Sequence, residues 1–104
     1  MRERLPAFTS VRTGPDLWPH EAAFGELLVH TAEDGSPWAL CYQCPCGCGS
    51  PVMVPSEKAR DGSPTWTLTA EADGSYSASP SVRMTSPQGC KSHYFIRSNR
   101  IEWC

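Results

Sequence analysis

The sequence predicts a small, mostly β fold with little helix, built as an antiparallel sheet or a set of hairpins in a single domain. Three observations lead to this prediction. Ten prolines and eight glycines are spread over 104 residues, and both residue types disfavour long helices. Short apolar runs, several of them alternating with polar residues, are separated by turn residues. A chain of this length has room for one domain.

The N-terminal segment, residues 1–37, has the least clear pattern. Apolar residues between Asp16 and His30 could form a short helix, with Pro19 in its first turn and Gly25 weakening its middle. The run Glu26–His30 fits a strand equally well. We predict a strand there, entered from a loop or a single turn.

The other strands are predicted within residues 38–104. They are Trp38–Tyr42, Pro51–Pro55, Thr65–Ala70, Tyr76–Ser79, His93–Arg97 and Arg100–Trp103. Prolines at both ends predict an edge position for Pro51–Pro55, because proline has no N–H to donate to a neighbouring strand. The turn residues Asp73-Gly74 and Ser98-Asn99 predict that the last four strands form two hairpins.

Charge and hydropathy exclude several classes of protein. The net charge of -2 is unsuited to nucleic-acid binding by bulk electrostatics, which needs a basic surface. No apolar run approaches the roughly 20 residues that a membrane-spanning helix requires. Residues 1–6 carry charges without an apolar segment behind them, which is not the pattern of a signal peptide. We therefore expect a cytoplasmic protein.

Six cysteines in a cytoplasmic protein indicate metal ligands or reactive thiols more than disulfides. Three of them lie in Cys44–Gly49, where proline and glycine favour a tight turn that lets the sulfurs converge. Zinc takes four ligands in a tetrahedron, so another must come from elsewhere. Cys90, His93 and Cys104 are candidates. Cys41, three residues before Cys44, has a common zinc spacing as well, but it lies in an apolar strand and could simply belong to the core. Alternatively, all six thiols are reduced and pack as small apolar groups.

The segment Cys90–His93 allows two interpretations of its histidine, as a metal ligand or as a general base. Neighbouring residues of a strand face opposite sides, so Ser92 and His93 should point apart. A serine that pairs with His93 would then come from another segment. Ser79 and Ser81 are the natural candidates, because Pro80 between them could fix a bend that exposes a hydroxyl. Both could equally be ordinary turn serines.

Several of these stretches, taken together and in order, resemble a small bacterial family. The stretches are Cys44–Gly49, Trp66–Leu68, Ser79–Ser81, Cys90–Ile96 and Ile101–Cys104. The resemblance covers roughly residues 38–104, and Cys41 looks like a departure from the family pattern. Members of the family occur in operons with ubiquitin-like proteins and their activating and conjugating enzymes, the bacterial ubiquitination-like (Bub) systems.

The resemblance implies a zinc-binding, BubE-like serine-type peptidase that removes a ubiquitin-like modifier by acting at its C-terminus. Its partners would be the modifier and the enzymes that activate and conjugate it. On this interpretation Ser81 is the nucleophile and His93 the base, with Ser92 and Ser79 as substitutes for Ser81. The zinc would be structural and would position His93. Its expected ligands are Cys44, Cys46, Cys48 and Cys90.

Two other functions are compatible with the same residues. One is a zinc-binding adaptor without enzymatic activity, which would recruit a modifier or its conjugating enzyme. The other is a zinc metallohydrolase, which needs only three protein ligands and an open position on the metal. In the peptidase interpretation, an edge strand could receive the extended tail of the modifier by strand addition.

Overall fold

The computed structural model describes residues 4–56, 65–83 and 92–104, and the statements below refer to these ranges. Eight strands form two four-stranded sheets, ordered β1-β2-β3-β4 and β5-β6-β7-β8. The strands are β1 Ser10–Gly14, β2 Glu26–Thr31, β3 Pro37–Gln43, β4 Pro51–Pro55, β5 Thr67–Ala70, β6 Tyr76–Arg83, β7 His93–Arg97 and β8 Arg100–Trp103. The prediction of a mostly β fold is confirmed.

Helix is confined to one 3-10 turn, Pro19–Glu21, within the part of the chain that the structure describes. It precedes the segment leading into β2, where a strand entered from a loop or a single turn was predicted. None of the described helical residues forms a segment long and apolar enough to cross a bilayer.

The first sheet departs from the predicted antiparallel pairing at one place. β2, β3 and β4 pair antiparallel, but β1 lies parallel to β2, with Ser10 opposite Glu26. β1 was not predicted because its sequence holds one large apolar residue, Val11, and four of its five residues are exposed. β4 is an edge strand of its sheet, as the prolines at its two ends predict.

The second sheet consists of the two predicted hairpins, which pair with each other through β6 and β7. Gly74 has a φ of +87° in the turn between β5 and β6. Ser98 and Asn99 have φ values of 50° and 65°, the left-handed pair that a tight two-residue hairpin requires. The Asn99 side chain also accepts a hydrogen bond from the Tyr76 N–H at 2.8 Å.

An apolar cluster of described residues joins the two sheets. It contains Leu27, Val29, Leu40 and Val54 from the first sheet and Val82, Ile96 and Ile101 from the second. Two tyrosines link the sheets within this cluster: Tyr42 and Tyr94 are both fully buried, and their hydroxyls lie 2.8 Å apart. Burial, reinforced by the neighbouring Tyr94, raises the pKa of Tyr42 well above its ordinary value, so it stays protonated.

The N-terminal residues 5–8 run along β8 at the edge of the second sheet. Ala7 bridges to Arg100, and the Phe8 N–H donates to the Asn99 carbonyl at 2.8 Å. The Trp103 indole N–H donates to the Leu5 carbonyl at 3.1 Å. The β8 edge is therefore covered, and β5 forms the opposite edge of this sheet.

Candidate active site and metal centre

A serine and a histidine on neighbouring strands lie in hydrogen-bonding contact. Ser81 Oγ of β6 is 2.7 Å from His93 Nε2, and His93 is the first residue of β7. Both side chains are partly buried, so the pair is sheltered yet open to solvent. This distance lies within the range expected of a hydroxyl nucleophile and the base that activates it.

A bulge in β6 produces this contact. The register between β6 and β7 is interrupted between Ala78 and Val82, where the three residues Ser79–Ser81 stand opposite Phe95 alone. Pro80 has no N–H and therefore could not continue a regular ladder. Bulges redirect the side chains of a strand, and this one sets the direction in which Ser81 points. The Ser79–Pro80 peptide bond is cis.

Regular alternation beyond the bulge places the serine on the same face as the histidine. Val82 pairs with Tyr94, and both side chains are buried between the sheets. The residues that flank them must face the opposite way, because successive side chains of a strand alternate. Ser81 and His93 therefore share the outer face of the second sheet, as diagonal cross-strand neighbours. Arg83 lies directly opposite His93 on that face.

Two further hydrogen bonds hold the main chain at Ser81 and at His93. The Trp66 indole N–H donates to the Ser81 carbonyl at 3.2 Å. The Cys104 N–H donates to the His93 carbonyl at 3.0 Å. Sequence reasoning did not assign Trp66 a role at the site, although it lies in one of the stretches that carry the family resemblance. Because these bonds fix the backbone, they limit how far Ser81 and His93 can move apart.

The other two candidate serines occupy different surroundings. Ser92 immediately precedes His93, is buried, and has its hydroxyl 3.8 Å from the Cys44 thiol. Ser79 lies at the start of the bulge, is exposed, and pairs with Thr67 of β5. The structure thus brings Ser81 together with His93 and places Ser92 against the cysteine turn.

The three cysteines of Cys44–Gly49 converge as their spacing suggests. The Cys44, Cys46 and Cys48 sulfurs all lie within 4.8 Å of one another, and the first two are 3.4 Å apart. Gly47, with a φ of +92°, allows the tight turn between them. Sulfur ligands on a tetrahedral zinc are separated by about 3.8 Å, so the three thiols fit a metal of this kind.

The remaining cysteines differ in their relation to this cluster. Cys90, the predicted fourth ligand, lies outside the described residues. Cys41 is buried on the other face of the first sheet, and its thiol donates to the Leu17 carbonyl at 3.6 Å. Burial, and secondarily the charge of Glu21, raises the Cys41 pKa to about 12, which disfavours the thiolate that a metal needs. Cys104 is exposed at the end of the last strand.

The cysteine cluster and the Ser81–His93 pair meet at the start of β7. Ser92 contacts Cys44, and the next residue, His93, contacts Ser81. The two centres therefore lie on opposite sides of one short stretch of backbone. A metal held by the cysteines would stabilise the position from which His93 reaches Ser81.

Comparison with known proteins identifies the family. A family model described as bacterial ubiquitination-like system serine protease (BubE) matches residues 15–104. The match includes all of the region 38–104 in which the resemblance was recognised, and extends it to the 3-10 turn and β2. No curated protein and no solved structure gives a significant match. The chain therefore belongs to the BubE family of serine proteases of bacterial ubiquitination-like systems.

Proposed function

We propose that this protein is a serine peptidase that cleaves after the last residue of a bacterial ubiquitin-like modifier and releases it from a target or an extension. The observation that carries the proposal is the 2.7 Å contact between Ser81 Oγ and His93 Nε2. Membership of a serine protease family supports a nucleophilic role for one of the serines. Among the candidate serines, Ser81 lies in hydrogen-bonding contact with a histidine nitrogen.

The proposed reaction begins with attack of Ser81 Oγ on the carbonyl carbon of the modifier's last residue. Acting as the base, His93 accepts the Ser81 proton at Nε2. The bond to the leaving amine then breaks, and His93 returns the proton to that nitrogen. Water attacks the resulting ester with His93 again as base, which releases the modifier as a carboxylate and regenerates Ser81.

The bulge also offers a group to stabilise the negative oxygen of the tetrahedral intermediate. Ser81 has no register partner in β5 or β7, so its main-chain N–H lies outside the regular ladders. A backbone N–H next to the nucleophile is well placed to donate to this oxygen. We assign this role to the Ser81 N–H.

The cysteine cluster has a structural role in this proposal. Cys44, Cys46 and Cys48 would hold zinc together with Cys90, and the metal would supply a rigid link between the cysteine turn and the segment that leads into β7. The contact of Cys44 with Ser92 supports this link, since it already joins the two segments. No step of the cleavage requires the metal.

Cleavage of a modifier fusion tests the proposal. The substrate is a ubiquitin-like protein of a bacterial ubiquitination-like system, extended at its C-terminus by a small fluorescent protein. Wild-type protein should cut after the last residue of the modifier, as intact mass shows, and Ser81→Ala should lower the rate by more than about 10³-fold. The matched control Ser10→Ala, on exposed β1, should retain full activity.

Two outcomes would contradict the proposal, and each would favour a different function. Absence of cleavage by wild-type protein would favour an adaptor that binds the modifier without cutting it. Cleavage that survives Ser81→Ala but stops when zinc is chelated would favour a metallohydrolase.

A further inference from the structure

A hollow of about 170 Å³ lies on the outer face of the second sheet, between β5, β6 and β7. Thr67 and Thr69 contribute its β5 side, and Phe95 and Arg97 its β7 side. Ser79, in the bulge, lines the end nearest to the proposed nucleophile. The hollow exists because small side chains on β5 and β6 lie beside a large aromatic ring on β7.

The chemistry of the hollow suits an uncharged apolar side chain. The Phe95 ring supplies an apolar wall. The Arg97 guanidinium stacks over that ring at 4.4 Å and forms an ion pair with Glu102 at 2.6 Å, so its charge is already balanced. The hydroxyls of Thr67 and Thr69 make no hydrogen bond with the described residues, which leaves them available to the backbone of a bound peptide.

The hollow adjoins the proposed reaction centre. Ser79 is two residues from Ser81 in the same bulge, and Phe95 lies opposite both. An extended peptide advances about 3.3 Å per residue. A substrate held at Ser81 and running along β6 would therefore place its second or third residue from the scissile bond over the hollow.

The modifier side of the substrate is the better occupant of this hollow. Leaving groups differ from one target to another, whereas the tail of the modifier is common to all of them. An enzyme that releases one modifier from many targets must therefore recognise the acyl side. We infer that the hollow binds an uncharged apolar side chain of the extended modifier tail, two or three residues before the scissile bond. This inference rests on the proposed peptidase function.

The test varies one residue of the modifier tail (the tail series) and, separately, fills the hollow with a larger side chain. Modifier fusions carry Leu, Ala or Asp at the second or third residue before the scissile bond. Thr69→Phe fills the hollow, and Thr13→Phe makes the same change at an exposed position of β1. Wild-type protein should prefer Leu over Asp by roughly tenfold or more in kcat/KM. Thr69→Phe should remove the preference for Leu over Ala, and Thr13→Phe should retain it.

A fluorophosphonate probe separates failure of the inference from failure of the proposed function. The probe reacts with an activated serine without needing the hollow, so it should label Ser81 equally in wild type, Thr69→Phe and Thr13→Phe. Two results would overturn the inference alone, provided that labelling is equal. In one, the three tail fusions are cleaved at the same rate; in the other, the rate depends on the residue after the scissile bond. Absence of both labelling and cleavage in wild-type protein overturns the proposed function and the inference with it. The tail series uses wild-type protein and remains decisive if Thr69→Phe does not fold.

Discussion

Ser81 and His93 meet because of how side chains alternate around a single irregularity in β6. The two residues are 12 positions apart in the chain, and their 2.7 Å contact crosses from one strand to the next. A shift of one residue in a strand turns every side chain to the opposite face. A one-residue shift of Val82 relative to Tyr94 would thus turn Ser81 toward the core and away from His93.

Replacement of the histidine distinguishes a base from a metal ligand. His93→Ala should lower the rate of fusion cleavage by about 10² to 10⁴, because it removes the group that accepts the Ser81 proton. Zinc content and melting temperature should stay near wild type, since the described cluster that could hold a metal consists of cysteines. Elemental analysis, thermal unfolding and a cleavage assay measure these quantities. Release of zinc by His93→Ala would instead make His93 a ligand.

At the scale of elements, β7 connects the two centres. Its preceding residue, Ser92, contacts Cys44, its first residue contacts Ser81, and its third, Phe95, forms a wall of the hollow. The same strand is central in its sheet, with β6 on one side and β8 on the other. A displacement of the backbone where β7 begins should therefore affect both the cysteine cluster and the Ser81–His93 pair.

Loss of one cysteine ligand should affect the Ser81–His93 pair through the start of β7. Protein purified without added metal should carry about one zinc per chain, as a four-ligand structural site would. Cys46→Ser should release the zinc, lower the melting temperature and reduce cleavage, because metal binding and folding are coupled. Cys104→Ser, at an exposed thiol outside the cluster, is the matched control and should keep its zinc. Unchanged melting in metal-free protein would contradict a structural role.

The strands that could be predicted are those whose own residues carry the signal. β3 and β7 are apolar runs next to turn residues, and their positions follow from that pattern. β1 could not be predicted, because an exposed strand is held by its partner rather than by burial. β6 was expected to end at Ser79 but continues to Arg83, since the bulge depends on pairing with β7. Such pairing links distant residues and leaves no local pattern.

The site was predictable to a similar extent. The spacing of Cys44, Cys46 and Cys48 suggested convergence, and the sulfurs do converge. Alternation along a strand disfavoured Ser92, and the family resemblance implied a serine nucleophile. The choice of Ser81 over Ser79 had no such basis, because no spacing rule relates residues across a bulge. The hollow beside Phe95 was not foreseen, since it depends on three strands that become neighbours only in the folded sheet.

At the scale of the whole molecule, the buried tyrosine pair joins one sheet to the other. Tyr94→Phe would leave the Tyr42 hydroxyl without its partner inside the core, at a cost of about 1–3 kcal/mol in the free energy of unfolding. The double variant Tyr42→Phe/Tyr94→Phe should be closer to wild type in stability, because the Tyr42 hydroxyl is removed as well. Denaturant unfolding measures both.

The half-buried Tyr76 provides the control for these variants. Its hydroxyl makes no hydrogen bond with the described residues, so Tyr76→Phe should change the stability little. A Tyr94→Phe protein as stable as Tyr76→Phe would show that the hydroxyl contact between the sheets contributes nothing.

The bond between Trp103 and Leu5 has a consequence for how the molecule folds. It joins residues 98 positions apart, so nearly the whole chain must be closed into a loop before the β8 edge is covered. The entropy lost in closing a loop grows with its length, and domains rich in distant contacts fold slowly. Until that closure occurs, β8 presents an unpaired edge to other chains. We therefore expect residues 5–8 to pair with β8 late in folding, and β8 to be open to pairing with a second copy until then.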